Sequence, residues 1–243
     1  MASFWDTHEK KIDLDNFRAD DQYLGEQYSY PYEAMLKDVD KSWLEVLKED
    51  GAFGCVTRYV SDLSNPLYGT CLSRDLLDSI VEISFLDDCG LRLDDMRVLD
   101  IGAGYGRFAH RFTTAFPGSY VYCTDAVPVS LDVCQKYLGF RGVTRAEVIL
   151  PQEIDDICRP DLAVNIHSFP EMTRADVNAW LKLLQRRHVP HLFVVPHPFV
   201  APMTCLEDGK SFMPDIEAHG FKLAKHWRGP DCWPRDFYLF GGT

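Results

Sequence analysis

The stretch from Val98 to Arg107 reads Val-Leu-Asp-Ile-Gly-Ala-Gly-Tyr-Gly-Arg, an apolar run opening into a glycine-rich turn. Gly102 and Gly104 let a backbone turn tightly and approach a ligand, and a helix starting just after them presents unpaired N–H groups to the same place. The spacing is G-x-G-x-G. A dinucleotide fingerprint needs G-x-G-x-x-G, because its pyrophosphate sits on the helix N-terminus, and here Arg107 stands where the third glycine would be. Asp100, just ahead of the glycines, would repel a pyrophosphate; it favours a ligand with a cationic centre or an ammonium group. A second carboxylate, Asp125, follows the apolar run Tyr120–Thr124. At the tip of a strand it can accept two hydrogen bonds from ribose hydroxyls.

The elements that must position these groups are read from periodicity. From about residue 95 onward, short apolar runs alternate with helical patterns. Strands are expected at 97–101, 120–124, 147–150, 162–166 and 192–195, with helices through about Ala115 and Tyr137 and one carrying Val177, Trp180, Leu181 and Leu184. The last runs, 221–225 and 237–240, are joined by a short Gly/Pro/Trp loop and should form an antiparallel hairpin. Five parallel strands with intervening helices and a terminal hairpin make a doubly wound α/β sheet. Ahead of residue 95 the chain reads as helical and aromatic-rich. One helix is expected from Tyr32 to Lys48, on Met35, Leu36, Val39, Trp43, Val46 and Leu47. A polar loop leads to Ser73, which reads as the N-cap of a second. The expected organisation is an N-terminal helical extension over 1–94 and a core over 95–243, forming one structural unit.

Composition sets the outer bounds. The chain has 243 residues, 46% hydrophobic and 26% charged, as ordinary globular proteins do, and a formal charge of −12. An acidic surface repels phosphate backbones and anionic lipid, so neither nucleic acid nor membrane is the expected partner. No run of about 18 apolar residues occurs, and the N-terminus lacks a basic region followed by an apolar one. The eight cysteines form no CxxC pair, so zinc-knuckle and thioredoxin readings fail. Reduced thiols in apolar runs fit a cytoplasmic setting.

Taken together, the Asp100–Gly106 loop, Asp125 after the second strand and the terminal hairpin resemble class I S-adenosylmethionine-dependent methyltransferases, over roughly residues 95–243. S-adenosylmethionine carries both a cationic centre and an ammonium group. The resemblance implies a Rossmann-like seven-stranded sheet, with the cofactor held by Asp100, Gly102, Ala103, Gly104, Asp125 and Ala126, and by Gln152 after the third strand; Arg74, ahead of the core, could reach the methionine carboxylate or stand as an exposed first-turn arginine. A narrower resemblance, to a sugar O-methyltransferase family, is carried by Ser73-Arg74-Asp75-Leu76-Leu77-Asp78-Ser79 and by Asn165-Ile166-His167-Ser168-Phe169-Pro170-Glu171-Met172. It implies a sugar or oligosaccharide hydroxyl as acceptor.

A sugar hydroxyl is a poor nucleophile, so a general base should help, and histidine is the usual choice near neutral pH. Asn165 and His167 alternate along the fourth strand and share a face; His167 is the candidate base, its alternative being a partner for a loop carbonyl. Glu171, four residues on, could orient the imidazole or hold a metal, or simply face solvent in a first helical turn. His197 follows the fifth strand and could bind the acceptor or equally serve as a structural cap, while His191 at that strand's start reads as structural. Trp227 and Trp233 flank the hairpin loop and offer faces to sugar C–H surfaces, or pack as a core edge. A divalent cation such as magnesium would need clustered oxygen ligands; Asp155 and Asp156 are expected in a surface helix, and metal dependence stays open. A homo-oligomer is compatible with the sequence. Rival readings are a methyltransferase for another small metabolite, a non-catalytic binding subunit of the same fold, and a nicotinamide-dependent enzyme, the last disfavoured by the glycine spacing.

Overall fold

Two runs of buried residues, one on each face of a single sheet, organise the molecule. The computed structural model describes residues 32–48, 57–61, 64, 68–196, 203–229, 231–232 and 234–242. Its main strands are β3 (Arg97–Ile101), β4 (Tyr120–Thr124), β5 (Ala146–Val148), β6 (Leu162–Ile166), β7 (His191–Val195), β8 (Phe221–Arg228) and β9 (Asp236–Gly242), after a small antiparallel pair, β1 (Thr57–Tyr59) and β2 (Cys71–Ser73). The seven strands lie in the order β5-β4-β3-β6-β7-β9-β8. All neighbours are parallel except β9, which is antiparallel to both β7 and β8. The order reverses direction between β3 and β6, and the carboxyl ends of those two strands therefore border the crevice in which doubly wound sheets bind ligands.

Helices cover both faces: α1 (Tyr32–Asp38), α2 (Ser42–Val46), α3 (Arg74–Asp88), α4 (Arg107–Ala115) and α5 (Pro128–Phe140) before β5, and α6 (Arg174–Arg186) and α7 (Met213–Ala218) after β6. Leu76, Leu77 and Ile80 of α3, Phe108 and Phe112 of α4, and Val133 and Tyr137 of α5 pack with Val98, Val121, Val164 and Phe193 of the sheet. Val177, Leu181 and Leu184 of α6 pack on the other face with Leu99, Ile101, Ala163 and Val194. The central strands are apolar on both sides because both sides are covered.

The strand and hairpin expectations hold except at the third strand, where β5 stops at Val148 instead of running over 147–150, and β8 and β9 are longer than read from sequence. Ser73 caps α3 as expected, its Oγ accepting from the Leu76 N–H at 2.9 Å. The single helix expected over 32–48 is instead two short ones. Asp40 Oδ1 accepts from both the N–H and the Oγ of Ser42, and such local side-chain bonding competes with helix continuation. Part of the expected polar loop forms the β1–β2 pair. Asp155 and Asp156 lie in a turn after a 3₁₀ segment, Pro151–Glu153, rather than in a helix. The early tyrosines 23, 28 and 30, and also His197 and Trp233, lie outside the described residues.

Candidate active site

β3 ends in Asp100 and Ile101, and the chain then turns over the tip of β4. The N–H groups of Gly102 and Ala103 both donate to the Thr124 carbonyl, at 2.9 and 3.0 Å. Gly104 donates its N–H to Asp125 Oδ2 at 3.0 Å, and Val127 donates to Asp125 Oδ1 at 2.9 Å. Asp125 thus braces the glycine loop while each oxygen keeps a further lone pair for a ligand. Burial raises the Asp125 pKa against these amide bonds, which lower it.

Space around the loop is unequal. A Cβ on Gly102, whose φ is +76°, would lie 2.2 Å from Ser168 Oγ and 2.4 Å from Ser168 Cβ, whereas one on Gly104 would meet nothing within 4 Å. Gly102 is therefore glycine because Ser168 closes over it. Gly104 faces an opening at the crevice.

Asp100, near the end of β3 and two residues ahead of Gly102, is 2% exposed. Its Oδ2 is buried and accepts no hydrogen bond. Desolvation, with Arg107 acting against it and Glu82 and Asp125 adding to it, pushes the Asp100 pKa up to about 7. The nearby guanidinium of Arg107 is committed elsewhere: it donates to Glu82 Oε2 and Oε1 at 2.7 and 3.0 Å and to Ser79 Oγ at 2.8 Å.

The end of β6 forms the opposite wall. Asn165 is fully buried; its Nδ2 donates to the Ile101 carbonyl at 2.9 Å and its Oδ1 accepts from the Phe169 N–H at 2.7 Å. One side chain thereby fixes the distance between the tips of β3 and β6 and starts the 3₁₀ turn Phe169–Glu171. His167 follows with φ at +66°, in the left-handed region, and its N–H donates to the Val195 carbonyl at 2.7 Å. It is half-buried, and its Nε2 is shielded from solvent. Glu171 lies in the 3₁₀ turn, its N–H on the Ser168 carbonyl at 3.0 Å.

The remaining candidates are spread more widely. Ala126 is exposed next to Asp125, and Gln152 is exposed in the turn beyond β5. Arg74 is tied to carboxylates of its own helix, with Nη2 2.6 Å from Asp75 Oδ1 and Nη1 3.0 Å from Asp78 Oδ2. Trp227 is 40% exposed on the outermost strand, where it stacks with Phe85 and packs against Phe237. With Phe85, Lys225, Val39 and Asp88 it lines a shallow hollow on the α3 face. His191 sits at the opposite end of its strand, where burial lowers its pKa. Among the described residues, no group of three or more His, Cys, Asp or Glu is arranged to hold a metal ion. From sequence, Glu82 drew no attention, and Tyr105 and Ser168 stood inside matched motifs without a role of their own. The signal for Glu82 was present as a carboxylate among the apolar residues of a helix, and for Arg107 as the departure from glycine spacing.

The fold is that of the class I S-adenosylmethionine-dependent methyltransferases. A SAM-dependent methyltransferase from Aquifex aeolicus matches with a TM-score of 0.54 and 16% identity, over 89% of this chain and 100% of that one. Magnesium protoporphyrin IX methyltransferase from Synechocystis PCC 6803, solved with bound SAM, matches with a TM-score of 0.52 and 16% identity, over 68% of this chain and 77% of that one. A precorrin-6y C5,15-methyltransferase from Geobacter metallireducens GS-15 matches with a TM-score of 0.50 and 16% identity, over 67% and 88%. No family model matches the chain, and no curated protein does.

Proposed function

We propose that this protein is an S-adenosylmethionine-dependent methyltransferase acting on a hydroxyl of a small molecule, with a sugar or oligosaccharide as the acceptor class. The observation that carries the cofactor assignment is the buried carboxylate of Asp100, whose Oδ2 accepts no hydrogen bond, on the strand that runs into the open-sided turn at Gly104. A nucleotide ligand with an ammonium group satisfies it; a pyrophosphate would be repelled by it. Asp125 would hold the ribose, Asp100 the amino group, and the Gly102–Gly104 backbone the approach between them, with Ala126 and Gln152 bordering the base and Arg74 near the carboxylate end. Bound there, the cofactor supplies an electrophilic methyl on a sulfonium.

The protein's part is alignment and proton removal. Alignment of nucleophile and electrophile can be worth several kcal/mol. His167, at the tip of β6 next to the glycine loop, accepts the proton of the acceptor hydroxyl. Asn165 holds that strand tip at fixed distance from β3, and Glu171 in the following turn supports the imidazole. The sugar reading is supported by the resemblance of the Ser73–Ser79 and Asn165–Met172 segments. His197, Trp227 and Trp233 are the acceptor-binding candidates.

The test is incubation with methyl-labelled S-adenosylmethionine and a panel of mono- and oligosaccharides, phenols, carboxylates and amines. Label transfer to a sugar supports the full reading. Transfer only to another acceptor keeps the enzyme and replaces its substrate class. Failure to bind S-adenosylhomocysteine would exclude the cofactor and with it the reaction.

A further inference from the structure

The segment Ser73–Ser79 opens α3, and α3 turns an unusual face inward. Asp75, Asp78, Ser79 and Glu82 fall at i, i+3, i+4 and i+7, one stripe of the helix, and all four are buried. A stripe so polar ordinarily faces water. Here it meets guanidinium groups from three places in the chain. Arg107, at the start of α4, is held by Glu82 and Ser79. Arg235, just ahead of β9, puts Nη1 2.9 Å from Asp78 Oδ2, the same oxygen that Arg74 approaches at 3.0 Å. Arg74 continues to Asp75, and Asp75 Oδ2 accepts the hydroxyl of Tyr105, a residue of the glycine loop. Tyr105 is itself buried edge-on against Tyr137, with ring centroids 4.9 Å apart. A continuous chain of ion pairs and hydrogen bonds thus runs Arg235–Asp78–Arg74–Asp75–Tyr105, from the hairpin loop to the glycine loop.

Buried ion pairs are a poor way to gain stability, since apolar residues of similar volume do as well or better. Their distinctive property is that each acceptor admits few donor geometries, so they fix the relative position of the parts they join. The parts joined here are the two loops at the carboxyl edge of the sheet, four strands apart in the order β3-β6-β7-β9 counted inclusively.

We infer that Asp78 is a positioning residue that locks the loop ahead of β9 to the glycine loop through α3, so that these two loops hold one register. This inference rests on the glycine loop being the cofactor cradle. Asp78 touches neither cofactor nor acceptor in this account; it acts through Arg235 on one side and through Arg74, Asp75 and Tyr105 on the other.

The experiment is amide hydrogen exchange on the full chain, followed by mass spectrometry of peptides covering 102–107 and 234–238, with S-adenosylhomocysteine affinity measured on the same preparations. Arg235→Met changes only one end and Tyr105→Phe only the other, while Asp78→Asn breaks the hub at constant volume. Each variant should speed exchange in both peptides, by about tenfold for loss of a buried charged hydrogen bond. Arg235→Lys, which keeps the charge, should restore most of the protection. Cofactor-product affinity should weaken in Arg235→Met although the substitution lies in another loop. Exchange that rises only in the peptide carrying the substitution overturns the inference. If Asp78→Asn does not fold, the two end variants decide it by the same criterion. Absence of S-adenosylhomocysteine binding in the unsubstituted protein would refute the cofactor reading instead, and the exchange comparison would still decide the coupling.

Discussion

Asp100 links charge to ligand affinity most directly. Its carboxyl is pushed up to about 7 by burial, with Arg107 opposing and Glu82 and Asp125 reinforcing the shift. A carboxyl with a raised pKa is neutral below that value and draws no ammonium group; above it, the charge is present and unpaired. Affinity for S-adenosylhomocysteine should therefore rise with pH, by roughly tenfold between pH 6 and 8, with proton release on binding. Calorimetry in buffers of different ionisation enthalpy measures both, and Asp100→Asn should flatten the profile. The sign for folding is the reverse. Because the folded pKa lies above the unfolded value, this group's contribution to stability falls as pH rises from about 4 to 7. Without ligand at pH 8, Asp100→Asn should melt at a higher temperature than the unsubstituted protein. At Asp125, alanine removes the acceptor of the Gly104 and Val127 amides as well as the proposed ribose contact. Charged hydrogen bonds are worth about 1.5–3 kcal/mol each, so affinity should fall by about tenfold or more; unchanged affinity in a folded variant would remove the assignment. For His167 the useful replacement is asparagine, which tolerates the left-handed backbone found there. His167→Asn should slow turnover by about 10²–10⁴ while leaving cofactor affinity nearly intact. Near-normal turnover at neutral pH would exclude His167 as the base.

Between elements, the contact that matters most is the closure of the β6 turn over the β3 turn. Ser168 occupies the space a side chain at Gly102 would need. Gly102→Ala should destabilise the protein by about 1–3 kcal/mol, from overpacking and from a strained positive φ. Adding Ser168→Gly should recover the overpacking part and leave the strain, which paired thermal melts of the single and double variants would resolve. Much at this scale was readable beforehand. The strands of a parallel sheet covered on both faces must be apolar runs, and the residues at their tips are placed by counting. The glycine turn was readable for the same reason, because glycines act through backbone position. What could not be read were pairings distant in sequence. The acids of α3 look like a solvated face until Arg107 and Arg235 are seen to meet them. The three-residue strands β1 and β2 carry too few residues to show a period. The break at Asp40 depends on a single side chain bonding to Ser42.

At the scale of the molecule, the sequence suggests an extension joined to a core at about residue 95, and the packing bears on whether that division means anything. α3 lies wholly before that point and is one of the layers on the sheet. Seven of its residues, Leu76, Leu77, Ile80, Val81, Ile83, Phe85 and Leu86, belong to the buried cluster that also holds Val98, Val164, Phe193 and Phe237. At about 1.5–3 kcal/mol for each buried large aliphatic or aromatic side chain, their removal forfeits roughly 10–20 kcal/mol of burial. That matches or exceeds the whole stability of a typical domain, about 5–15 kcal/mol. Electrostatics adds to the loss. Arg107 and Arg235 would keep their places against the sheet without Glu82, Ser79 and Asp78, and a guanidinium stripped of its buried partner is strongly destabilising. A chain beginning at residue 95 should therefore fail to fold, giving insoluble protein or a far-ultraviolet spectrum without a cooperative thermal transition. A chain beginning at residue 68 keeps α3 and its carboxylates but loses α1, α2 and β1. It should fold with a lowered melting temperature, because Met35, Leu36 and Val39 no longer cover their part of the same cluster. A cooperative melt from the 95–243 fragment would show that the first 94 residues are a separable cap. Failure of the shorter fragment together with folding of the longer one would place the boundary of the folding unit ahead of α3.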